Sequence, residues 1–305
     1  MYHFISSIII FKVSFLKYHI RSNNIRKNTL QYQSKRNKIK LSKTLKMSKF
    51  SNAIIIKIGG SYVTEKEGEN GEPKLENIHL FSQTISNYLK QNPNQPIILA
   101  HGAGSFGHRP AAKYSLQNGF HPHGMTECGM AMQKLSFIIC TSLQEVGLNV
   151  LPMHPCNLII TEKRRIKEFF TRPIEMMLEK GTIPVIHGDP VFDTEQGSCI
   201  LSADQIVPEL AKRFGCKRVG LISNSAVLDL EKNVIDEINS ENYHEIEKCL
   251  GESKGIDVTG GMKGKINELM LYAKQCDMEA FVFDGNNDNL LKFLNGEHVG
   301  TKVSK

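Results

Sequence analysis

The feature that most constrains the fold is a glycine-rich octapeptide, H-G-A-G-S-F-G-H at 101–108, which directly follows the apolar run 96–100. A short, wholly apolar run is typical of a strand buried on both faces of a parallel sheet. Glycines after such a strand permit a tight turn into a helix and let the backbone approach a bound anion. The segment therefore predicts a strand, a phosphate-binding loop and a helix in succession.

Strand and helix patterns alternate from residue 53 to the end of the chain. Short apolar runs predict strands, and apolar stripes at helical spacing predict helices. This alternation is typical of a three-layer α/β/α sandwich with a mostly parallel central sheet. The predicted strands are 53–58, 96–100, 149–153, 182–187, 217–223 and 279–284. The predicted helices are 76–90, 125–146, 166–180, 204–214, 242–250 and 261–275.

The segment 1–52 differs in composition from the remainder of the chain. It contains 12 Lys and Arg and no Asp or Glu, whereas 53–305 carries 26 basic and 31 acidic residues. The acidic balance of the second part argues against a nucleic-acid-binding surface. We interpret 1–52 as a transit peptide, a disordered tail, or sequence upstream of a true start at Met47, and expect a single domain over 53–305.

Seven cysteines are scattered through the chain without a C-x-x-C pair. Such a pattern is typical of reduced core thiols and argues against a disulfide framework or a zinc site, so no metal ligands are predicted. The apolar run near the N-terminus is too short for a membrane span. We therefore expect a cytoplasmic protein, or one imported into an organelle through 1–52.

Polar clusters follow several predicted strands at the point where each strand ends. In open α/β sheets, ligands bind beyond the carboxyl ends of the strands. The chain is therefore expected to bind its ligands where these clusters meet. The clusters are Gly59-Gly60-Ser61, the octapeptide, His187-Gly188-Asp189 and Ser223-Asn224.

Two lysines near the first glycine pair could contact a phosphate. Lys57 lies at the end of the first strand, before Gly59 and Gly60, where it could point over the sheet edge while glycine N–H groups cradle the anion. A surface lysine before an ordinary glycine turn is the alternative. Lys66 on the next loop could reach the same anion or be a solvated loop residue.

Two further motifs open predicted helices. Asp204, in S-A-D-Q at 202–205, is either part of a helix cap with Ser202 or a carboxylate that holds lysines near a transferring phosphate. T-G-G-M-K-G-K at 259–265 is a second glycine-lysine loop. Lysines at a helix start oppose the helix dipole, so Lys263 and Lys265 indicate a bound polyphosphate.

The octapeptide also contains the spacing G-x-G-x-x-G of a dinucleotide-binding loop. That fingerprint expects an acidic residue after the next strand, but Glu127 lies in a helical pattern, so a nicotinamide or flavin site is disfavoured. A Walker A loop and a hydrolase nucleophile elbow are both missing from the sequence. Lysines 57, 66, 263 and 265, with Mg²⁺ on ATP, could instead supply the cation density that phosphoryl transfer requires. His108 could hold the phosphate of an acceptor in charge-assisted bonds.

Taken together, K-I-G-G-S, A-D-Q and T-G-G-M-K-G-K resemble the amino acid kinase family, in family order and over about 53–303. The octapeptide with its second histidine, and I-D-V-T-G-G-M-K-G-K at 256–265, resemble the branch that phosphorylates isopentenyl phosphate. The resemblance implies ATP and Mg²⁺ as cofactors, an N-terminal part that binds the acceptor and a C-terminal part that binds ATP. It also implies a homodimer formed by helix packing and extension of the sheet.

The resemblance further implies roles for individual residues. Lys57 and Lys265 would stabilise the transferring phosphoryl group, Asp204 would orient them, and Lys66 would neutralise charge in the transition state. His108 and the backbone around Ala103 and Gly188 would hold the acceptor. The ATP-binding residues would be Lys57, Gly59, Gly60, Ser61, Gly104, Gly261, Lys263 and Lys265. The prenyl tail would lie against Met125, Cys128 and Met132, which could equally be ordinary core residues.

One segment departs from the family pattern. After the strand at 217–222 the family usually has T-D-V-D-G-V, whereas this chain has S-N-S-A-V-L at 223–228. The missing acidic residues and glycine put the affinity for the nucleotide and the preference for ATP in question. The altered turn keeps open a nucleotide-binding sensor without catalytic activity. A related kinase that acts on a phosphonate or another small acid is a second alternative, because the second histidine does not exclude a headgroup that resembles phosphate.

Overall fold

The computed structural model describes residues 49–65, 71–250 and 261–305. Lys66, most of 1–52 and the first part of the 259–265 motif lie outside these ranges. The described residues from Phe50 onward form one compact unit. None of the helices in the described part of the chain is long and apolar enough to cross a membrane.

The described residues form twelve strands and nine α-helices. The strands are β1 Ile54–Ile58, β2 Ile97–His101, β3 Val150–Met153, β4 Ile159–Glu162, β5 Arg165–Phe169, β6 Ile183–His187, β7 Asp189–Asp193, β8 Gly197–Leu201, β9 Arg218–Ser223, β10 Glu237–Ile238, β11 Glu279–Asp284 and β12 Thr301–Val303. The helices are α1 Gly60–Val63, α2 Leu75–Gln91, α3 Gly104–Lys113, α4 Pro122–Glu145, α5 Arg172–Glu179, α6 Ala203–Phe214, α7 Tyr243–Ile246, α8 Gly261–Ala273 and α9 Asn287–Leu294.

Eight strands form the central sheet in the order β10-β12-β11-β9-β1-β2-β6-β3. All neighbours pair in parallel except β11 and β12. Helices cover both faces: Ile55 packs in one core cluster with α6 and α8, whereas Ile54 and Ile56 pack in the other with α2, α4 and α9. The predicted three-layer α/β/α sandwich with a mostly parallel sheet is confirmed.

A second sheet, with the order β5-β4-β7-β8, was not predicted from the sequence. The predicted helix over 166–180 is wrong in its first turn, because Arg165–Phe169 is a strand. Lys163 and Arg164 have φ values of 51° and 63°, and this tight turn pairs β5 with β4. The helix begins only at Arg172, where Pro173 suits the first turn. The predicted helix over 242–250 is α7 followed by the 3₁₀ turn Glu247–Cys249.

Gly220 in the centre of β9 leaves room for an aromatic ring. A Cβ atom there would stand 2.7 Å from Cε1 of Phe293, whose side chain is fully buried. We expect Gly220→Ala to lower the free energy of unfolding by about 1–3 kcal/mol, since the ring cannot retreat without displacing the core. Urea unfolding measures this change. Gly129→Ala is the control, because a Cβ there meets nothing within 4 Å; equal effects of the two substitutions would contradict the packing argument.

Candidate active site

The backbones at the ends of β1, β2 and β9 lie in direct contact. A Cβ atom at Gly60 would stand 2.3 Å from the nitrogen of Gly104, and one at Gly102 would stand 2.6 Å from the nitrogen of Gly60. A Cβ at Gly59 would stand 2.7 Å from the carbonyl oxygen of Ile222. Side chains cannot occupy such positions, so these glycines are what allow the two predicted phosphate loops to meet.

Thr64 connects the two loops, and sequence reasoning missed it. Its hydroxyl donates to the carbonyl oxygen of Gly60 at 2.8 Å and accepts from the backbone N–H of Ser105 at 3.1 Å. Gly104, directly before Ser105, has a φ of +51°, which glycine adopts without strain. No sequence motif marks Thr64, because its role depends on a contact between segments 41 positions apart.

A buried ion pair lies beside these loops. The Nζ atom of Lys57 is 2.6 Å from Oδ1 of Asp204. Alternation along β1 places Lys57 on the same face as Ile55, the face covered by α6, and Lys57 is only 5% exposed. A buried lysine requires a charged partner, and the first turn of α6 supplies it.

Lys265 adds a second positive charge near the same carboxylate. It is 8% exposed, and its Nζ atom lies 3.3 Å from Oγ of Ser223 at the end of β9. Burial raises the pKa of Asp204, but the charges of Lys57 and Lys265 and the hydrogen bonds from Lys57 and Ser202 outweigh burial, so the pKa is lowered. The structure thus brings together three of the residues predicted to be catalytic.

The S-A-D-Q motif both caps a helix and forms an ion pair, through different atoms. Ser202 accepts a hydrogen bond from the backbone N–H of Asp204 at 3.0 Å, and Gln205 completes a capping box at the start of α6. The carboxylate of Asp204 is directed to Lys57 instead. The cap therefore fixes the helix start that places the carboxylate.

The predicted acceptor residues lie at the ends of β2 and β6. Ala103 precedes α3, and His108 lies partly exposed in the second turn of that helix. Gly188 follows β6, and a Cβ there would stand 3.2 Å from the nitrogen of Ala203. The N–H of Gly188 donates to the carbonyl oxygen of His101 at 3.2 Å. The N–H of Gly188 is therefore already used in this hydrogen bond. What Gly188 could offer an acceptor substrate is a position without a side chain, where the substrate can come close to the backbone.

The residues predicted to contact the prenyl tail lie on α4. Cys128 and Met132 are buried, and Met125 is partly buried. Cys128 Sγ donates to the carbonyl oxygen of Gly107 at 3.5 Å, and a Cβ at Gly107 would stand 2.7 Å from Sδ of Met132. These two side chains thus pack against the residue that precedes His108.

The remaining residues that were predicted to bind the nucleotide are spread over a larger part of the structure. Gly261 begins α8 with a φ of +62°. The Nζ atom of Lys263 is 3.1 Å from Oε1 of Glu247, and the side chain of Lys263 is 45% exposed, so this lysine is held away from the buried pair. In the segment that departs from the family pattern, Asn224 is exposed, and the N–H of Val227 donates to Oγ1 of Thr301 at 2.9 Å.

Known proteins resemble this chain in sequence and in fold. The model of the amino acid kinase family matches residues 52–284. The isopentenyl phosphate kinase of Methanocaldococcus jannaschii is 34% identical over 82% of this chain and 97% of the relative. That of Haloferax volcanii is 32% identical over 82% of this chain and 98% of the relative.

A solved structure is also similar over most of the chain. An X-ray structure of an isopentenyl phosphate kinase superposes with a TM-score of 0.70 and 26% identity, covering 83% of this chain and all of that chain. The match of the family model over most of the chain, the identity to these relatives and the shared fold lead to one conclusion: the chain belongs to the amino acid kinase family.

Proposed function

We propose that the chain transfers the γ-phosphate of ATP to isopentenyl phosphate and forms isopentenyl diphosphate for isoprenoid precursor synthesis. The observation that carries the proposal is the buried Lys57–Asp204 pair with Lys265, at the sheet edge where the His108 loop begins. Relatives at 32% and 34% identity that are named isopentenyl phosphate kinases support this choice of acceptor.

The proposed reaction joins two phosphates. An oxygen of the acceptor phosphate attacks the γ-phosphorus, and the bond from that phosphorus to the bridging oxygen breaks with its electrons on ADP. The acceptor is already ionised at neutral pH, so no general base is required. Lys57 and Lys265 would neutralise charge on the transferring group while Asp204 holds both ammonium groups in place. Lys66 would add a further positive charge.

We assign acceptor recognition to the start of α3. His108 would bind the acceptor phosphate with the N–H of Ala103, in charge-assisted hydrogen bonds. The apolar side chains of Met125, Cys128 and Met132 would lie beside the tail, because Cys128 and Met132 already pack against Gly107. A phosphate headgroup with an apolar tail is the acceptor chemistry that this combination favours.

The amino acid kinase family uses ATP. The predicted ATP residues offer backbone N–H groups and ammonium groups, which suit a triphosphate. Within the described ranges, no three His, Cys, Asp or Glu side chains are arranged to hold a metal ion, and Asp204 pairs with Lys57. We therefore propose that Mg²⁺ arrives bound to the phosphates of ATP and supplies further neutralisation of their charge.

We also propose a homodimer formed through α4 and the edge strand β3. Phe137 and Met130 on α4 are 70% and 61% exposed, and Leu151 on β3 is 51% exposed. Because β3 lies at the edge of the sheet that residues 49–65, 71–250 and 261–305 form, a second copy could pair with its outer side. This arrangement would bury large apolar side chains that a monomer leaves in water.

The proposed dimer predicts a specific effect of charge on α4. Phe137→Asp should convert the dimer to a monomer, since a buried interface would then contain an unpaired carboxylate. Sedimentation equilibrium measures the change. Leu271→Asp on α8, where the side chain is 39% exposed, is the control and should leave the mass unchanged. A monomeric wild-type protein, or a dimer that survives Phe137→Asp, would contradict the proposed interface.

The acceptor assignment predicts which compounds stimulate ADP release. With Mg-ATP we expect turnover on isopentenyl phosphate and dimethylallyl phosphate, and none on N-acetylglutamate or UMP. His108→Ala should lower kcat/KM for isopentenyl phosphate by about 100-fold, because charge-assisted bonds to the acceptor are lost. His79→Ala, at an exposed position on α2, is the matched control and should leave kcat/KM unchanged.

Other outcomes of this assay distinguish the alternatives. Turnover confined to a phosphonate or another small acid would retain the family and the lysines but overturn the acceptor assignment. Tight ATP binding without turnover on any acceptor would favour the sensor, for which the turn at 223–228 without acidic residues is the supporting observation. A folded His108→Ala variant with full activity would remove His108 from the acceptor site.

The lysine–carboxylate cluster predicts both an activity and a stability effect. Asp204→Asn should lower kcat by about 100-fold, since a neutral amide cannot hold two ammonium groups. The pKa of Asp204 is lowered in the folded protein, so its stabilisation is present above the unfolded pKa of about 3.9 and is lost as the pH falls through the folded pKa. The difference in unfolding free energy between wild type and Asp204→Asn should therefore be constant from about pH 5 to 8 and shrink below about pH 4.

Asp277→Asn is the matched control for this prediction. Asp277 pairs with Lys217 at 2.9 Å, but its side chain is 88% exposed, so the pair contributes little. This variant should match the wild type in its unfolding free energy, measured by urea unfolding across the pH range, and in its kcat, measured by steady-state kinetics. Asp204→Asn with normal kcat would contradict the catalytic assignment.

A further inference from the structure

A row of three histidines lies beneath the acceptor loops, and the proposed mechanism does not use it. His101 ends β2 and His187 ends β6, and the two positions are partners in the parallel register. Both side chains are fully buried, and their rings stack with centroids 5.1 Å apart. His154, after β3, completes the row, with its Nδ1 atom 2.9 Å from Nε2 of His187.

The two buried histidines make the same local contact. Nδ1 of His101 lies 3.0 Å from the carbonyl oxygen of Gly102, and Nδ1 of His187 lies 2.9 Å from the carbonyl oxygen of Gly188. A carbonyl oxygen only accepts, so both Nδ1 atoms carry the proton. Nε2 of His187 is then an acceptor, and His154 donates to it through Nδ1. The geometry therefore specifies the tautomer of each ring in the row.

Burial of this row of histidines lowers the stability of the fold. Burial lowers the pKa of His101 to about 4 and lowers that of His187 well below its usual value, so both rings are neutral at physiological pH. Nε2 of His101 has no hydrogen-bond partner within the described part of the chain. Apolar side chains would fill these positions at lower free energy, so packing alone does not account for the imidazoles.

The contact of His101 has a consequence on the other side of the peptide group. The carbonyl of Gly102 and the N–H of Ala103 belong to one planar trans peptide, so they point in opposite directions. Because His101 holds the carbonyl of Gly102 on its own side of this peptide, the N–H of Ala103 points away from His101 at the start of α3, where His108 also lies. Under the proposed function, this N–H is a donor to the acceptor phosphate.

We propose that His101 is a positioning residue for the acceptor: its Nδ1–H fixes the Gly102–Ala103 peptide so that the N–H of Ala103 is aimed at the acceptor phosphate. His187 supports the ring of His101 by stacking, and His154 supports His187 through its hydrogen bond. The assignment of the acceptor as a phosphate rests on the proposed function, whereas the orientation of the peptide rests on the contacts of the described residues.

Two substitutions of similar size test the donor. His101→Leu removes the N–H, whereas His101→Asn keeps an N–H close to the position of Nδ1. In the full chain, we expect His101→Leu to raise KM for isopentenyl phosphate about 10-fold, with less than a twofold change in KM for ATP and no fall in the melting temperature. His101→Asn should return KM for the acceptor to within about threefold of wild type.

Equal KM values for the two variants would overturn the proposal, as would an increase in KM for ATP as large as that for the acceptor. Because a buried substitution could prevent folding, nitrogen-15 NMR of the wild-type rings provides a second measurement. We expect protonated Nδ1 and unprotonated Nε2 for His101 and His187. A proton on Nε2 of His101 would overturn the proposal whatever the variants do.

Binding of inorganic phosphate, measured by calorimetry, separates this proposal from the proposed function. If the wild type does not phosphorylate isopentenyl phosphate but binds inorganic phosphate more tightly than His101→Leu does, the proposed function fails and the positioning role stands. If the wild type phosphorylates isopentenyl phosphate and His101→Leu is unaffected, the positioning role fails alone. Absence of both activity and phosphate binding would overturn both.

Discussion

The close approach of glycine backbones at the carboxyl edge of the central sheet is the constraint on which the site depends. The parallel register of β1 with both β2 and β9 brings three strand ends together, and the glycines at 59, 60, 102 and 104 are the residues that such an approach permits. A methyl group at any of them would separate the loops. The lysines and the histidine of the proposed reaction are useful only because these backbones already touch.

The same edge carries a balance between burial and charge. Lys57 lies on a strand whose other residues are all apolar, and burial of an unpaired ammonium group there would be strongly unfavourable. Asp204 removes that penalty, and the capping box at Ser202 fixes the helix start on which Asp204 lies. The helix cap and the carboxylate that pairs with Lys57 are thus two parts of one local structure: Ser202 and Gln205 satisfy the backbone at the start of α6, and the side chain of Asp204 remains available for the ion pair.

Sequence reasoning predicted the parts of the fold that depend on local patterns. The apolar runs at β1, β2, β6 and β9 and the long stripe at α4 lie within a residue or a few residues of their predicted bounds. The second sheet was missed because β4 and β5 are short and half-exposed, and their pairing depends on a turn at Lys163 and Arg164. In the site, Lys57, Asp204 and Lys265 were predicted from motifs, and His187 belongs to a polar cluster that was predicted at a strand end. Thr64 and His154 were missed, because their contacts join distant segments that no motif encodes.

The segment that contains β7 and β8 enters and leaves the central fold at one point. It begins directly after Gly188 and ends directly before α6, and a Cβ at Gly188 would stand 3.2 Å from the nitrogen of Ala203. Its two ends are therefore in contact, as in a loop closed at its base. The turn between its two strands is exposed at Thr194 and Glu195, so this turn can change in length or sequence without moving β6 or α6. The architecture thus permits this turn to diverge while Lys57, Asp204 and Lys265 keep their geometry.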